Sequence, residues 1–261
     1  MNDGNAFSLS GKVVVLCGGS GLLGRALTSA LSEAGATLVV TSRDPAKLEP
    51  VLSDLRARDR PSFAEQADPA SEASILALRD RIYARHQRVD GLVYNAINRT
   101  MKTMNDDLPL WEESMATNAT GAFSTLRAFG DAMALVKGGS IVNISSIQGL
   151  VGMSPWLYEG TEMGAAPDYF FHKAGLIGLT RYLASYYGPE GVRVNAVAPG
   201  GIWNPEKPQA AEFVARYNKM TAQGRMGNAA EMTGAVTFLL SAAASYITGI
   251  TLPVDGGYTA R

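Results

Sequence analysis

Val13-Val14-Val15-Leu16-Cys17-Gly18-Gly19-Ser20-Gly21-Leu22-Leu23-Gly24 is the stretch on which the reading of this chain turns. An apolar, β-branched run of strand length stops at two glycines, and a segment with helical spacing, Leu22 to Ala34, starts at once. Unbroken apolar character is what a strand covered on both faces requires. Glycines at 18, 21 and 24 can take positive φ, admit a pyrophosphate close to the backbone, and aim the first amides of the following helix at it. Any tight turn uses glycine, so the turn alone is weak evidence. Placed between a strand and a helix, it reads as a dinucleotide site formed by Gly18, Ser20, Gly21, Leu23 and Gly24.

Outward from this stretch the alternation repeats. Short β-branched runs fall at Lys12 to Cys17, Thr37 to Thr41, Gly91 to Tyr94, Ser140 to Ile144, Val192 to Val197 and Ile250 to Val254. Helical segments lie between them at Pro45 to Arg58, Ala70 to Gln87, Leu110 to Val136, Tyr169 to Tyr187 and Ala229 to Ser241. This order predicts an α/β fold, a doubly wound parallel sheet with helices on both faces. No linker rich in Pro, Gly or Ser divides the 261 residues, so a single domain is expected over 1–261, with loop insertions at about 149–168 and 200–225. Both insertions follow strand ends, where open α/β sheets bind ligands. Trp156, Tyr158, Glu159, Glu162, Met163 and Trp203 in them either face a substrate or cover the core.

Opposing charges nearly cancel, 23 Lys plus Arg against 24 Asp plus Glu, which removes the electrostatic drive toward nucleic acid or an anionic bilayer. Cys17 is the only cysteine, and His86 and His172 lie far apart in sequence, so neither a disulfide nor a metal site is expected. The polar start, Met1 to Ser10, lacks the basic-then-apolar layout of a secretory signal, and no apolar run approaches spanning length. A cytoplasmic setting and a small-molecule partner are the expectation.

Two further patterns carry chemistry. The second strand ends at Thr41-Ser42-Arg43-Asp44, where an acidic side chain would accept the ribose hydroxyls of NAD. A serine hydroxyl and a guanidinium at Ser42 and Arg43 suit a 2′-phosphate instead, which favours NADP(H); Asp44 keeps NAD(H) open, with Arg43 then a solvated charge. Tyr169 and Lys173 are spaced i and i+4 and share one helix face. A phenol ordinarily ionises near pH 10, and an ammonium ~4 Å away at an effective dielectric of ~20 stabilises phenolate by about 4 kcal/mol before desolvation and screening. Such a pair is suited to proton transfer. On a helix surface the same spacing is commonplace, but Ser145-Ser146 at the end of the Ser140 to Ile144 strand adds a hydroxyl at the same sheet edge.

Together with Asp68 after a third strand, Asn95-Ala96, Asn118, Asn195 through Pro199-Gly200 and Asp255-Gly256-Gly257, these residues resemble the short-chain dehydrogenase/reductase family over nearly the whole chain. The resemblance implies a Rossmann-like fold and an NADP(H)-dependent oxidoreductase interconverting a carbonyl and a secondary alcohol. It implies that Ser146 polarises the substrate oxygen, Tyr169 transfers the proton, Lys173 binds nicotinamide ribose and tunes Tyr169, and Asn118 anchors a proton-relay water. Asp68 would contact adenine, Asn95 and Ala96 line the cofactor, and the backbone at Gly200 and Ile202 meet the carboxamide. It also implies a homotetramer or homodimer pairing the Leu110 to Val136 and Tyr169 to Tyr187 helices, with Ala174, Gly175 and Gly178 either allowing close approach of a partner helix or packing on the sheet.

The chain departs from the family pattern at four places. Leu22 stands where glycine is usual, a spacing similar to the sugar-nucleotide branch, so an epimerase or dehydratase is an alternative; those enzymes add a C-terminal substrate domain, whereas this sequence stops at Arg261. Tyr94-Asn95-Ala96-Ile97 replaces Asn-Asn-Ala-Gly, no threonine follows Pro199-Gly200, and 23 positions separate Ser146 from Tyr169. A non-catalytic NADP(H)-sensing protein is a third reading, disfavoured by the retained Ser146, Tyr169 and Lys173. The insertion Tyr158 to Met163 is similar to one in flagellin-modification and acidic-sugar pathway members, which points to a polar, sugar-like substrate. Glu159 and Glu162 suit polyol hydroxyls and disfavour an anion unless they face solvent.

Overall fold

The structure, a computed structural model, describes residues 5–260; the first part of the polar start and Arg261 lie outside the described residues. Seven strands form one parallel sheet: β1 (Val13–Cys17), β2 (Thr37–Ser42), β3 (Ser62–Gln66), β4 (Gly91–Tyr94), β5 (Gly139–Ile144), β6 (Val192–Pro199) and β7 (Thr251–Val254), in the order β3-β2-β1-β4-β5-β6-β7. The helices are α1 (Leu22–Glu33), α2 (Glu49–Arg56), α3 (Glu72–His86), α4 (Leu108–Ser114), α5 (Gly121–Leu135), α6 (Pro167–Tyr187), α7 (Ala211–Met220) and α8 (Thr233–Leu240).

Strand side chains alternate between two cores. Val13, Val15, Cys17, Val39, Leu92, Tyr94 and Ile141 meet α3, α5 and α6 through Ile75, Leu78, Leu126, Phe129 and Leu176. Val14, Leu16, Leu38, Val40, Val93, Val142 and Val197 meet α1, α2 and α8 through Leu27, Leu31, Leu52, Val236 and Leu239. Every residue of β1 is buried, which is why its sequence is apolar without alternation. Each such Leu or Phe contributes roughly 1.5–3 kcal/mol on burial. The direction in which strands are added reverses at β1, since β2 lies on one side of it and β4 on the other, and this switch opens a crevice at the strand C-termini.

Several expected elements are modified. β3, Ser62-Phe63-Ala64-Glu65-Gln66, is not among the apolar runs because it is the sheet edge: only Ser62 is buried, and Glu65 pairs with Arg81 and Arg85 instead of packing. The segment read as one helix from Leu110 is α4, a π-helical turn over Met115–Thr120, and α5. The helices at Pro45 and Ala229 open with 3₁₀ turns, Pro45–Leu48 and Ala229–Met232. The second insertion is not all loop: it contains α7, whose buried residues are Phe213 and Tyr217.

The two insertions meet. Ile147, Leu157, Phe213, Tyr217 and Met226 form a third apolar cluster, joined by Tyr158, Met163 and Tyr258, over the C-terminal edge of the sheet. Rings run through it in contact: Tyr158 lies tilted against Phe213 at 5.5 Å, and Phe213 stacks on Tyr217 at 6.0 Å and Tyr217 on Tyr258 at 5.2 Å between centroids. Arg216 donates to the carbonyls of Trp156, at 3.0 Å, and Glu159. Tyr158 and Met163, with Leu157 between the same loops, therefore cover a core.

Of the four glycines in the first turn, only Gly18 takes positive φ, +85°. Gly24 is required for a different reason: a β-carbon there would stand 2.3 Å from the Gly18 carbonyl oxygen and 2.7 Å from the Gly19 carbonyl carbon, so α1 can start this close to the turn only without one. Gly24→Ala is expected to lower the unfolding free energy by about 1–3 kcal/mol, the usual penalty for forcing an extra methyl into packed backbone, read as a lower urea midpoint.

Candidate active site

The glycine turn is locked to the tip of β4. Asn95 donates through Nδ2 to the Gly18 carbonyl at 2.7 Å, its backbone amide donates to the Cys17 carbonyl, and the Ala96 backbone fills the space a β-carbon on Gly18 would need. Gly21 is the N-cap of α1 and has open space where a β-carbon would stand, with no side chain capping the helix. The first backbone bond is from the Arg25 amide to the Gly21 carbonyl, so the amides of Leu22, Leu23 and Gly24 have no partner among the described residues. Three free amides at the positive end of a helix, beside an unfilled cradle, fit a pyrophosphate.

Next along the crevice, a cavity of about 530 Å³ is lined by Arg43, Gln66, Ala67, Asp68 and Ser74, among others. Arg43 is exposed and pairs with no carboxylate among the described residues, while Gln66 holds its carbonyl at 3.3 Å. Asp44, by contrast, is occupied: it accepts from the Ala46 amide at 3.2 Å and sits 3.7 Å from Lys47. Ser42 Oγ accepts from the Asp44 amide, leaving its own proton free. Asp68 uses one carboxylate oxygen on the Ala70 amide, at 3.1 Å, and leaves the other open.

At the end of β5, Ser146 Oγ accepts from the Gln148 amide at 3.2 Å, so its hydroxyl proton remains uncommitted. Ser145 Oγ donates to the Lys173 carbonyl at 2.8 Å and Lys173 Nζ donates to the Ile144 carbonyl at 2.7 Å, two bonds that dock α6 on β5. Lys173 Nζ lies 5.4 Å from the centroid of the Tyr169 ring. The ammonium is buried, and burial holds its pKa below the usual lysine value, partly offset by a negative charge on Tyr169 and reinforced by the Arg99 guanidinium.

Asn118 lies in the π-helical turn, with both amide hydrogens in use, on the Asn98 carbonyl at 2.7 Å and on Ser114 Oγ at 3.0 Å; its Oδ1 accepts from the Asn98 amide at 2.7 Å. π-helical turns recur at functional sites. Ser114 extends this into a buried network that sequence reading missed. Its hydroxyl donates to Asp168 Oδ2 and contacts His172 Nε2 at 2.9 Å. A hydroxyl has one proton, and here it goes to the carboxylate, so His172 must carry its proton on Nε2 and donate. His172 Nδ1 and Asp168 Oδ1 are left buried without partners. The signal was present: Asp168 and His172 flank the tyrosine and lysine with the same i, i+4 spacing, and Ser114 stands four residues before Asn118.

The loop after β6 forms a separate group. The Gly200 amide donates to the Val254 carbonyl and Gln209 Nε2 donates to the Ile202 carbonyl at 2.8 Å, while the Ile202 amide has no partner among the described residues. This loop reaches the glycine turn through Arg25, which pairs with Glu206 and donates to the Ser20 carbonyl at 3.3 Å. Glu159 and Glu162 are exposed and their carboxylates pair with nothing among the described residues. Ala174, Gly175 and Gly178 are also exposed, and a β-carbon on either glycine would meet open space, so this stripe faces away from the sheet.

A family model described as enoyl-(acyl carrier protein) reductase matches residues 20–259. Galactitol 2-dehydrogenase (L-tagatose-forming) of Cereibacter sphaeroides is 33% identical, with 99% of each chain covered. A-factor type gamma-butyrolactone 1'-reductase (1S-forming) of Streptomyces virginiae is 34% identical, with 96% of each covered. Among solved structures, gluconate 5-dehydrogenase from Burkholderia cenocepacia J2315 in complex with NADP and tartrate superposes with a TM-score of 0.88 at 28% identity, covering 98% of both chains. A doubly wound sheet, a glycine turn with free amides and a tyrosine over a buried lysine define a nicotinamide-dependent oxidoreductase of CH–OH and carbonyl groups. The chain belongs to the short-chain dehydrogenase/reductase family.

Burial holds the His172 pKa below the usual histidine value; Asp168 opposes this and Lys173 adds to it. As pH falls through about 6.5, the ordinary histidine value, the unfolded chain takes up a proton that the folded chain resists, so stability must fall. The urea midpoint is expected to drop further between pH 7.5 and 5.5 in the wild type than in His172→Gln. His86, also depressed by burial, titrates in both proteins and cancels from the comparison.

Proposed function

We propose that this protein is an NADP(H)-dependent reductase or dehydrogenase that interconverts a carbonyl and a secondary alcohol on a polar, sugar-like small molecule, with Ser146, Tyr169, Lys173 and Asn118 as its catalytic group. The observation that carries this reading is Tyr169 held over the buried Lys173, whose ammonium is fixed on the Ile144 carbonyl. When bound, the dinucleotide supplies the hydride in reduction and takes it in oxidation.

The chain's own residues do the rest. The free proton of Ser146 bonds the substrate oxygen, and Tyr169 gives that oxygen a proton in reduction and withdraws it in oxidation. Lys173 spends one of its three protons on Ile144, leaving two for the nicotinamide ribose and for Tyr169. With its side chain engaged on Asn98 and Ser114, Asn118 holds a relay water through its backbone or the second lone pair of Oδ1. The amides of Leu22, Leu23 and Gly24 take the pyrophosphate, with Gly18, Ser20 and Gly21 shaping the turn. Asp68 takes the adenine, Asn95 and Ala96 border the cofactor, and the Ile202 amide, with the Gly200 backbone, takes the carboxamide.

NADP(H) is favoured over NAD(H) because Arg43 is free beside the cavity while Asp44 is engaged locally, and a structural neighbour is a complex with NADP. A substrate bearing several hydroxyls fits relatives named for galactitol and gluconate. The chain is read as one domain over 1–261 that works in the cytoplasm, a setting that suits a lone, buried cysteine. It is read as a homotetramer or homodimer, supported by the exposed small-residue stripe of α6 beside Phe171 and Tyr182, which are 54% and 61% exposed.

Tyr169→Phe is expected to bind NADPH as the wild type does, by quenching of tryptophan emission, and to lose about 10²- to 10⁴-fold in turnover on the substrate the wild type uses in a panel of hexitols, aldonates and hydroxyketones. Undiminished turnover overturns the assignment. Arg43→Ala is expected to weaken NADPH binding by roughly tenfold or more, the value of a charge-assisted phosphate contact, and to leave NADH binding nearly as it was.

A further inference from the structure

We propose that Arg99 is a specificity-determining residue that binds a carboxylate, so that the preferred substrate is a hydroxy acid or the matching keto acid and not a neutral polyol. The proposal rests on the reading of Tyr169 as the proton-transfer group, and it assigns Arg99 no part in hydride or proton movement. Its guanidinium carbon lies 4.7 Å from the centroid of the Tyr169 ring, so a group held by it lies beside the reacting oxygen.

Four features single this arginine out. Arg25, Arg81, Arg127 and Arg225 are each neutralised by a carboxylate, whereas Arg99, like Arg43, is exposed and pairs with none among the described residues; of these two, Arg99 is the one set against Tyr169. Its backbone is pinned on both sides: Asn118 holds the amide and carbonyl of Asn98, and Thr100 Oγ1 donates to the Leu110 carbonyl at 3.1 Å. The backbone that carries the cation is thus placed in advance, with the Tyr169 ring as a side-chain contact, so fewer degrees of freedom are lost on ligand capture. It also stands close enough to depress the pKa of the buried Lys173, a like-charge opposition that an arriving anion would relieve. Finally, no carboxylate of the insertion competes for it, since Glu159 and Glu162 face solvent. Tyr158, whose hydroxyl accepts from Gln148 Nε2 at 3.4 Å, adds a polar group on the same side. A guanidinium presents a planar fork that matches a carboxylate in two parallel hydrogen bonds, which a neutral hydroxymethyl group cannot return.

The test compares aldonates with hexitols of the same configuration, gluconate with glucitol and galactonate with galactitol, together with tartrate and glycerate as shorter acids. Calorimetric titration of the protein saturated with NADPH, where no oxidation can follow, reads acid binding directly. Wild type is expected to bind at least one of these acids and to show a higher kcat/KM for it than for its neutral counterpart. Arg99→Met should weaken acid binding and lower the acid-to-neutral ratio of kcat/KM by about tenfold to a hundredfold. Arg99→Lys, which keeps the charge and loses the fork, should fall between. No binding of any acid by the wild type, or a loss in Arg99→Met that is equal for acid and neutral substrates, overturns the inference. Failure of the underlying reading looks different: Tyr169→Phe would keep turnover while the calorimetric effect of Arg99 stood.

Discussion

An ammonium removed from water sits at the junction of β5 and α6, and the architecture around the end of β5 follows from the need to hold it. Lys173 is 5% exposed, and a buried cation costs several kcal/mol unless it is bonded and its charge is answered. The Ile144 carbonyl answers part of that demand, at the point where β5 runs out of ladder partners. Ser145 closes the same junction from the other side by donating to the Lys173 carbonyl. The first turns of α6 are thereby fixed in rotation on the sheet, and with them Tyr169 and the buried pair Asp168 and His172. Moving the lysine would release all three.

Much of this was legible in sequence, for a physical reason that also sets the limit. Strands β1, β2, β4, β5 and β6 are covered by helices on both faces, so their residues had to be apolar and the runs stood out. β3 escaped because a sheet edge can replace burial with ion pairs, as Glu65 does. α7 escaped because its buried residues, Phe213 and Tyr217, pack on a loop and not on the sheet, so the chain around them carries no helix-on-sheet pattern. The tyrosine and lysine were visible through helical spacing. The role of glycine in the first turn was only partly so: Gly18 is needed for its φ, but Gly24 for an approach of backbone to backbone that no spacing rule encodes.

The groups that sequence did not bring forward depend on tertiary placement. Ser114 and His172 belong to different helices, and their contact comes from the packing of α4 against α6, which no local pattern encodes. Arg99 lies in a loop without periodicity, and its position is set from outside by Asn118, through the backbone of Asn98. Asn118 therefore serves two neighbours at once, the polar network under α6 and the loop that carries Arg99 to the Tyr169 ring.

The aromatic stack above the sheet has a consequence for how such a protein can change over generations. Tyr158 comes from one insertion, Phe213 and Tyr217 from the other, and Tyr258 from the C-terminal segment, yet they form one column of rings. A column shared by three stretches of chain ties their fates together. A mutation that reshapes one stretch leaves gaps against the other two, so the accessible evolutionary steps are concerted replacements of the whole cover.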